Sequence, residues 1–277
     1  MKIIILIAFN LLIINATKSQ IWSGNVIDAE SKMQLEFVNV GVLHKSKGTV
    51  TDVNGKFSLS LNNLSDNDTI RVSFIGYKYS DFLVSQCKKY LINSSNISIE
   101  LTPKSFLINE FVVNSNKIKK IVRGNNIRTA IVAAGFQNRD LGAEMGTVLK
   151  YHKKKKGQVV SFNFNFIGNQ SDSIYFRVNL YKMKNGLPSK NILKKPIYVN
   201  SISKKGVIKI DLSEENIYIK KDSFLSLELI TDLGQDGLFF KSAFLKSPSY
   251  FRPTSQSEWI KSPIDLGFWA EIVYEKK

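Results

Sequence analysis

Residues 48–61, GTVTDVNGKFSLSL, hold the clearest folding signal in the chain. The run Lys56–Leu61 alternates apolar and polar side chains, which is typical of a strand with one buried face. Asn54-Gly55 precedes it and is a strong hairpin signal, because both residue types tolerate positive φ angles. About seven short strands follow one another between residues 21 and 101. Their spacing predicts a β-sandwich.

The composition predicts a folded protein. Of the 277 residues, 43% are hydrophobic, which is enough for a substantial core and excludes a disordered or fibrous chain. The formal net charge is +16, and the excess comes mainly from lysine, since the chain has six arginines. Base-reading and bidentate phosphate sites favour arginine. We therefore expect no nucleic-acid partner.

The first twenty residues have the pattern of a signal peptide. Met1-Lys2 is followed by an apolar stretch to Ile14 and then by small and polar residues up to Gln20, near which we expect cleavage. The apolar stretch is short for a membrane span, and no later segment approaches 18 apolar residues. We expect export to the periplasm, the outer membrane or the extracellular space, with no transmembrane segment after signal cleavage.

A second set of strands begins near Ile131. Phe162, Phe164 and Phe166 alternate with asparagines and so share one face of a half-buried strand. Eight or so strands in this half predict a jelly-roll-like sandwich. The expected all-β organisation is a signal peptide at 1–20, a seven-stranded sandwich at 21–102, a linker at 103–128 and the jelly-roll-like sandwich at 129–277.

Four motifs in the first half carry a family resemblance. They are Ser23–Ala29, Val38–Val40, Gly48–Leu59 and Ile70–Tyr77. In this order they resemble the carboxypeptidase-regulatory-like domain, which implies a transthyretin-like sandwich. That domain commonly precedes the plug of TonB-dependent outer-membrane receptors in Bacteroidetes. Lys32–Leu35 departs from the proline-containing turn usual there, which leaves the expected fold unchanged.

Aromatic residues late in the chain are the main binding candidates. Pro248–Arg252 and Gln256–Trp259 resemble an uncharacterised β-sandwich domain of secreted Bacteroidetes proteins, a resemblance that implies no activity. Exposed aromatic rings beside polar groups can stack on sugars, and jelly rolls often carry such surfaces. The alternative is that these rings fill the core. The candidate ligand surface consists of Tyr250, Phe251, Arg252, Trp259 and Trp269.

The sequence offers little for catalysis or metal binding. Cys87 is the single cysteine, and the two histidines, His44 and His152, fall in different expected domains. Catalytic zinc usually has three protein ligands, so we expect no catalytic, cofactor or metal site. A hydrolase would require carboxylates such as Glu228 and Asp232 to converge. Residues 232–237 could also offer two aspartates to calcium, although a turn is the favoured interpretation.

The most concentrated charge is the run Lys153, Lys154, Lys155 and Lys156. At a hairpin tip it could contact an anionic envelope polymer, but a solvated turn that blocks edge-to-edge association is the favoured interpretation. The leading hypothesis is a non-enzymatic exported envelope protein, with one structural or adaptor sandwich and one binding sandwich. The alternatives are a carbohydrate- or cell-wall-binding module and an accessory of a TonB-dependent transporter. The expected partner is an envelope protein or glycan.

Overall fold

The computed structural model describes residues 20–92, 97–105, 118–129, 131–137, 141–169, 174–201, 205–233, 237–244 and 247–275. These residues form an all-β protein of two sandwiches, which confirms the expected fold class. The expected signal peptide lies outside the described residues, apart from Gln20. None of the helices in the described ranges has the length and apolar character needed to cross a membrane.

The first sandwich contains seven described strands and one helix. They are β1 (Ile21–Asp28), β2 (Asn39–Val42), β3 (Gly48–Val50), β4 (Lys56–Ser60), β5 (Thr69–Ser73), β6 (Ser80–Leu83), α1 (Val84–Ile92) and β7 (Ile97–Leu101). One sheet has the order β4-β1-β7 and the other the order β3-β2-β5-β6. Their facing side chains, among them Trp22, Val26, Val40 and Val72, are fully buried.

Helix α1 is the main local departure from the expected strands. Cys87 lies inside α1 and is fully buried in the core of the first sandwich. Burial raises the pKa of this thiol to about 12, so the structure makes it an inert core residue.

The turn at Asn54-Gly55 forms as expected, but it does not close a hairpin. Asp52 Oδ1 accepts hydrogen bonds from the backbone N–H groups of Asn54 and Lys56, and Gly55 has a φ of +70°. The strands on either side pair with different partners, β3 with β2 and β4 with β1. The turn therefore carries the chain from one sheet of the sandwich to the other.

The second sandwich is built from the remaining strands. They are β8 (Ile118–Gly124), β9 (Val132–Phe136), β10 (Glu144–Leu149), β11 (Gly157–Asn169), β12 (Ile174–Lys184), β13 (Leu187–Asn191), β14 (Ile197–Ser201), β15 (Gly206–Asp211), β16 (Tyr218–Ile219), β17 (Ser223–Leu229), β18 (Leu238–Ala243), β19 (Ser249–Arg252), β20 (Ile260–Lys261), β21 (Asp265–Leu266) and β22 (Phe268–Glu275). A short 3-10 helix spans Ser213–Glu215.

Two sheets face each other in this sandwich. One has the order β13-β12-β17-β10-β19-β20, and β14 also pairs with β12. We call it the outer sheet, because the face that points away from the core of the second sandwich meets the first sandwich. The other has the order β21-β18-β11-β22-β8. Phe162, Phe164 and Phe166 of β11 are buried between the sheets, as their alternation predicts. Phe240 and Phe268 pack against them with ring centroids 5.1 to 6.0 Å apart, and the two rings lie 4.8 Å from each other.

The expected linker at 103–128 contains a strand of the second sandwich. Residues 118–124 form β8, which pairs with β22 from Trp269 to Glu275. Residues 106–117 of that linker lie outside the described part of the chain. The sequence of β8, IKKIVRG, lacks strict alternation, and its pattern therefore does not indicate a strand.

Candidate functional site

The two sandwiches meet on the outer sheet. Phe37 is buried against Ile230 and lies 5.3 Å from the ring of Tyr198, measured between centroids. The backbone carbonyl of Phe37 accepts a hydrogen bond of 2.6 Å from Nη1 of Arg177 in β12. These contacts place a polar strand face of the second sandwich under the first.

A loop after β19 makes a second set of contacts with the first sandwich. Gln256 Nε2 donates to Ser73 Oγ at 2.9 Å, and the Gln256 carbonyl accepts from the backbone N–H of His44 at 3.0 Å. Gly41 permits this close approach, since a Cβ atom there would lie 2.9 Å from Cγ of Gln256 and the Gln256 side chain would have to shift. The loop thus contacts the residues that follow β2 and the end of β5.

Four charged residues form a row across neighbouring strands of the outer sheet. The strand register places Arg177 opposite Glu228, Glu228 opposite Glu144, and Glu144 opposite Arg252. We call these four residues the charged row. Arg177, Glu228 and Glu144 are at most 1% exposed, so these three side chains are shielded from solvent, and Arg177 also contacts the first sandwich.

Hydrogen bonds satisfy most of the side-chain nitrogen and oxygen atoms of the charged row. Arg252 donates twice to Glu144 Oε2, at 3.0 and 2.6 Å, and Arg177 Nε donates to Glu228 Oε2 at 3.0 Å. The amide nitrogen of Asn179 donates to both carboxylates, at 2.9 Å to Glu144 and 2.7 Å to Glu228. Asn179 therefore bridges two buried like charges, each of which also has an arginine.

Burial and neighbouring charges shift the pKa values in this row. Burial raises the pKa of Glu144, and Glu228 adds to that rise, whereas Arg252 opposes it. Burial would lower the pKa of Arg252, but Tyr181, once ionised at high pH, and the carboxylate of Glu144 raise it above its ordinary value. The pKa of Tyr181 is also raised well above its ordinary value, chiefly by burial. Tyr181 is therefore neutral and donates its hydroxyl hydrogen to Glu144 at 3.0 Å.

A cleft of about 360 Å³ opens beside the charged row, between the two sandwiches. Its volume lies within the usual range for small-molecule sites, about 300–1,000 Å³. The first sandwich contributes Asn39, Ser73, Phe74, Ile75, Gly76 and Lys104. The second contributes Arg177, Asn179, Tyr181, Lys190, Asn191, Leu193, Glu228, Arg252, Ser255 and Gln256. We call this space the interdomain cleft.

The five residues of the expected ligand surface do not form one surface. Tyr250, Arg252 and Trp259 lie together on the outer sheet, where Trp259 is 4.4 Å from the Arg252 guanidinium. Phe251 has the opposite orientation and packs against the core. Trp269 belongs to the other sheet, is 7% exposed and pairs with Asn163. Of the five, Arg252 alone lines the interdomain cleft.

The four lysines are exposed or half-buried in a crossover loop rather than at a hairpin tip, since β10 and β11 belong to different sheets. Lys154, Lys155 and Lys156 line a second space of about 380 Å³ together with Tyr218 and Tyr274. Lys155 pairs with Glu275 at 3.1 Å, and the Lys153 ammonium lies 5.5 Å from the Tyr274 ring. We call this space the basic groove.

Glu228 and Asp232, the two carboxylates that a hydrolase would require to converge, are not paired in the structure. Glu228 is joined to Glu144 through Asn179, while Asp232 lies beyond the end of β17. Part of the expected aspartate turn, 234–236, lies outside the described residues. Within the described ranges, no three His, Cys, Asp or Glu side chains are grouped to hold a metal ion.

Sequence reasoning missed most of the residues around the cleft. Arg177, Asn179 and Tyr181 alternate with the core residues of β12, a pattern that ordinarily indicates a solvated strand face. The sequence pattern that could have indicated this site is an arginine, a glutamate and asparagines at outward positions of several strands. Those strands become neighbours in the folded protein. No local pattern indicates that the first sandwich covers them.

Comparisons with known proteins identify one part of the chain. No curated protein matches the sequence. A structure of the clostridial cysteine protease Cwp84 after propeptide cleavage is similar at 10% identity and a TM-score of 0.41, over 59% of this chain and 41% of that one. A structure of the cysteine protease and lectin-like domains of Cwp84, a surface layer associated protein of Clostridium difficile, has 7% identity and a TM-score of 0.41, over 87% and 59%.

A structure of infectious bursal disease virus, Gx strain, has 10% identity and a TM-score of 0.24, over 92% of this chain and 55% of that one. The chain thus spans 41% to 59% of the length of these three structures. At TM-scores of 0.24 to 0.41, the similarity does not indicate a shared function. Residues 22–113 match the model of the CarboxypepD_reg-like domain. The first sandwich is therefore a CarboxypepD_reg-like domain, as its motifs predict.

Proposed function

We propose that the protein is a non-enzymatic, exported component of the cell envelope, in which the first sandwich is a structural module and the second carries binding. The CarboxypepD_reg-like match at residues 22–113 fits a non-catalytic module. The signal-peptide pattern of residues 1–20 supports export. The partner in this proposal is an envelope protein or glycan.

The observation that carries the proposal is the burial of the charged row between the sandwiches. Glu144 is fully buried and accepts hydrogen bonds from Arg252, Asn179, Tyr181 and Ser226. A carboxylate that acts as an acid or base must reach the substrate, within hydrogen-bonding distance of the proton it transfers. A carboxylate with four protein donors instead fixes its neighbours in place. This arrangement favours a rigid binding unit over a hydrolase.

The second candidate is a carbohydrate- or cell-wall-binding module. The observation that favours it is the interdomain cleft, with amide and hydroxyl side chains from both sandwiches. The expected aromatic stacking surface supports it less, because Tyr250 and Trp269 are less than 10% exposed and the Trp259 ring contacts Arg252, Tyr181 and Phe224.

Co-sedimentation with isolated cell envelopes tests the proposal. We expect the purified protein to sediment with envelopes at low salt and at high salt, because the cleft is a specific polar site. A matched variant with Lys153, Lys154, Lys155 and Lys156 all changed to Gln separates the basic groove from the cleft. Salt should weaken the binding only in part, since it screens exposed charges but leaves the polar contacts of the cleft. If the lysine variant abolishes sedimentation, the basic groove carries the attraction rather than the cleft. That result, or turnover of a glycan or peptide by the purified protein, would contradict the proposal.

A further inference from the structure

We propose that the interdomain cleft binds an acidic saccharide, that is, a hydroxyl-rich sugar that carries a carboxylate. This inference deepens the proposed binding role and rests on it. Neither sandwich forms the site alone, because Ser73, Phe74 and Lys104 come from the first and Asn191 and Gln256 from the second.

The polar groups of the cleft wall suit hydroxyl groups. Oδ1 of Asn39 is buried and has no hydrogen-bond partner within the described residues, so it is an acceptor that lacks a donor. A buried acceptor without a donor is unfavourable, and a ligand hydroxyl that donates to it removes that cost. The Ser73 hydroxyl accepts from Gln256 and keeps its own hydrogen to donate. Sugar hydroxyls both donate and accept, and therefore match both groups.

The wall is fixed before any ligand arrives. Asn191 donates to Asn179 at 2.9 Å, Asn179 donates to both glutamates, and Gln256 donates to Ser73. Side chains held in this way lose little conformational entropy on binding, which favours affinity for small polar ligands. Phe74 adds a partly buried aromatic ring for the apolar face of a sugar.

The charge of the cleft favours an anion. Within the wall and directly behind it, Arg177 is paired with Glu228 and Arg252 with Glu144, so the charged row is balanced. Lys104 and Lys190 remain as exposed cations among the lining residues. Lysines at the rim of a neutral polar site raise the local concentration of anionic ligands. A carboxylate on the sugar is the complementary group.

Calorimetric titration of the purified protein with two trisaccharides tests this assignment. The probes are trigalacturonate and its uncharged match, galactotriose. We expect trigalacturonate to bind more tightly. The double variant Lys104→Gln with Lys190→Gln should weaken the binding of trigalacturonate about tenfold, because it removes two exposed charge contacts. It should leave the affinity for galactotriose unchanged. Lys56→Gln with Lys184→Gln, two exposed lysines outside the cleft lining, is the matched control and should change neither affinity.

Asn39→Leu provides a second readout. It removes the unsatisfied acceptor, so it should weaken both trisaccharides without lowering the free energy of unfolding. The assignment is overturned if neither trisaccharide binds, if the control lysine pair reduces binding as much as the cleft pair, or if Asn39→Leu leaves both affinities unchanged. If the protein sediments with envelopes but neither trisaccharide binds, the acidic-saccharide assignment fails alone and the proposed envelope role stands.

Discussion

Arg177 of the second sandwich donates a hydrogen bond of 2.6 Å to the backbone carbonyl of Phe37 in the first. The same guanidinium lies 2.9 Å from a carboxylate oxygen of Glu228, measured from Nη2 to Oε1. One buried arginine therefore links the charged row to the domain above it. The rigidity of the interdomain cleft depends on this link.

Arg177→Met should lower the free energy of unfolding by about 3–5 kcal/mol, because it leaves Glu228 buried without its cation. Urea unfolding followed by circular dichroism measures the change. Arg71→Met is the matched control: its pair with Asp81 is partly exposed, and the loss there should be about 1 kcal/mol or less. Arg177→Met with Glu228→Met should recover part of the loss. Equal losses at positions 71 and 177 would show that the charged row is not buried.

Asp28 should make the first sandwich sensitive to acid. Its carboxylate accepts hydrogen bonds from the backbone N–H groups of Ser31 and Glu30 and from the Tyr77 hydroxyl, and these bonds lower its pKa from 3.8 to about 2. A group with a depressed pKa in the folded state stabilises above its unfolded pKa and loses that contribution as the pH falls toward the folded value. The loss should therefore occur between about pH 4 and pH 2.

Asp28→Asn removes this contribution, so its urea midpoint should fall less steeply over that pH window than the midpoint of the wild type. Tyr77→Phe, which keeps the ring and removes one donor, should show an intermediate slope. Identical slopes for the wild type and Asp28→Asn would mean that the carboxylate is not stabilised by these bonds.

Phe240→Ala should cost about 3–5 kcal/mol of unfolding free energy, since it opens a cavity among Phe164, Phe166 and Phe268. Phe244→Ala, one residue beyond the same strand, is the control. That side chain is 66% exposed, and its loss should stay within about 0.5 kcal/mol. A small loss at Phe240 would contradict the assignment of these rings to the sandwich core.

The elements that were predictable are those set by local pattern. Alternation placed Phe162, Phe164 and Phe166 inward, and Asn54-Gly55 marked a turn. The partners across that turn were not predictable, because pairing of β3 and β4 with other strands depends on long-range contacts. In the same way, the outward residues of β12 looked solvated. Arg177, for example, contacts Phe37, which is 140 positions away in the chain.

The candidate site was less predictable than the fold. The sequence predicts Arg252 as part of an aromatic surface, and in the structure it contacts Trp259 and also lines the interdomain cleft. The hydrolase hypothesis pairs Glu228 with Asp232, a neighbour in sequence. In the structure Glu228 lies opposite Glu144 on the adjacent strand. Both outcomes have one cause, since a site between two sandwiches is assembled from strands that are adjacent only after folding.

Hydrogen exchange of the full protein with and without envelope-derived acidic glycan tests the central claim most directly. The account predicts that the ligand slows exchange at residues 73–76 of the first sandwich and at residues 253–257 of the second, in the same sample. It predicts no change in the loop at 153–156. Protection confined to that basic loop, or to one sandwich alone, would contradict a binding site shared by the two sandwiches.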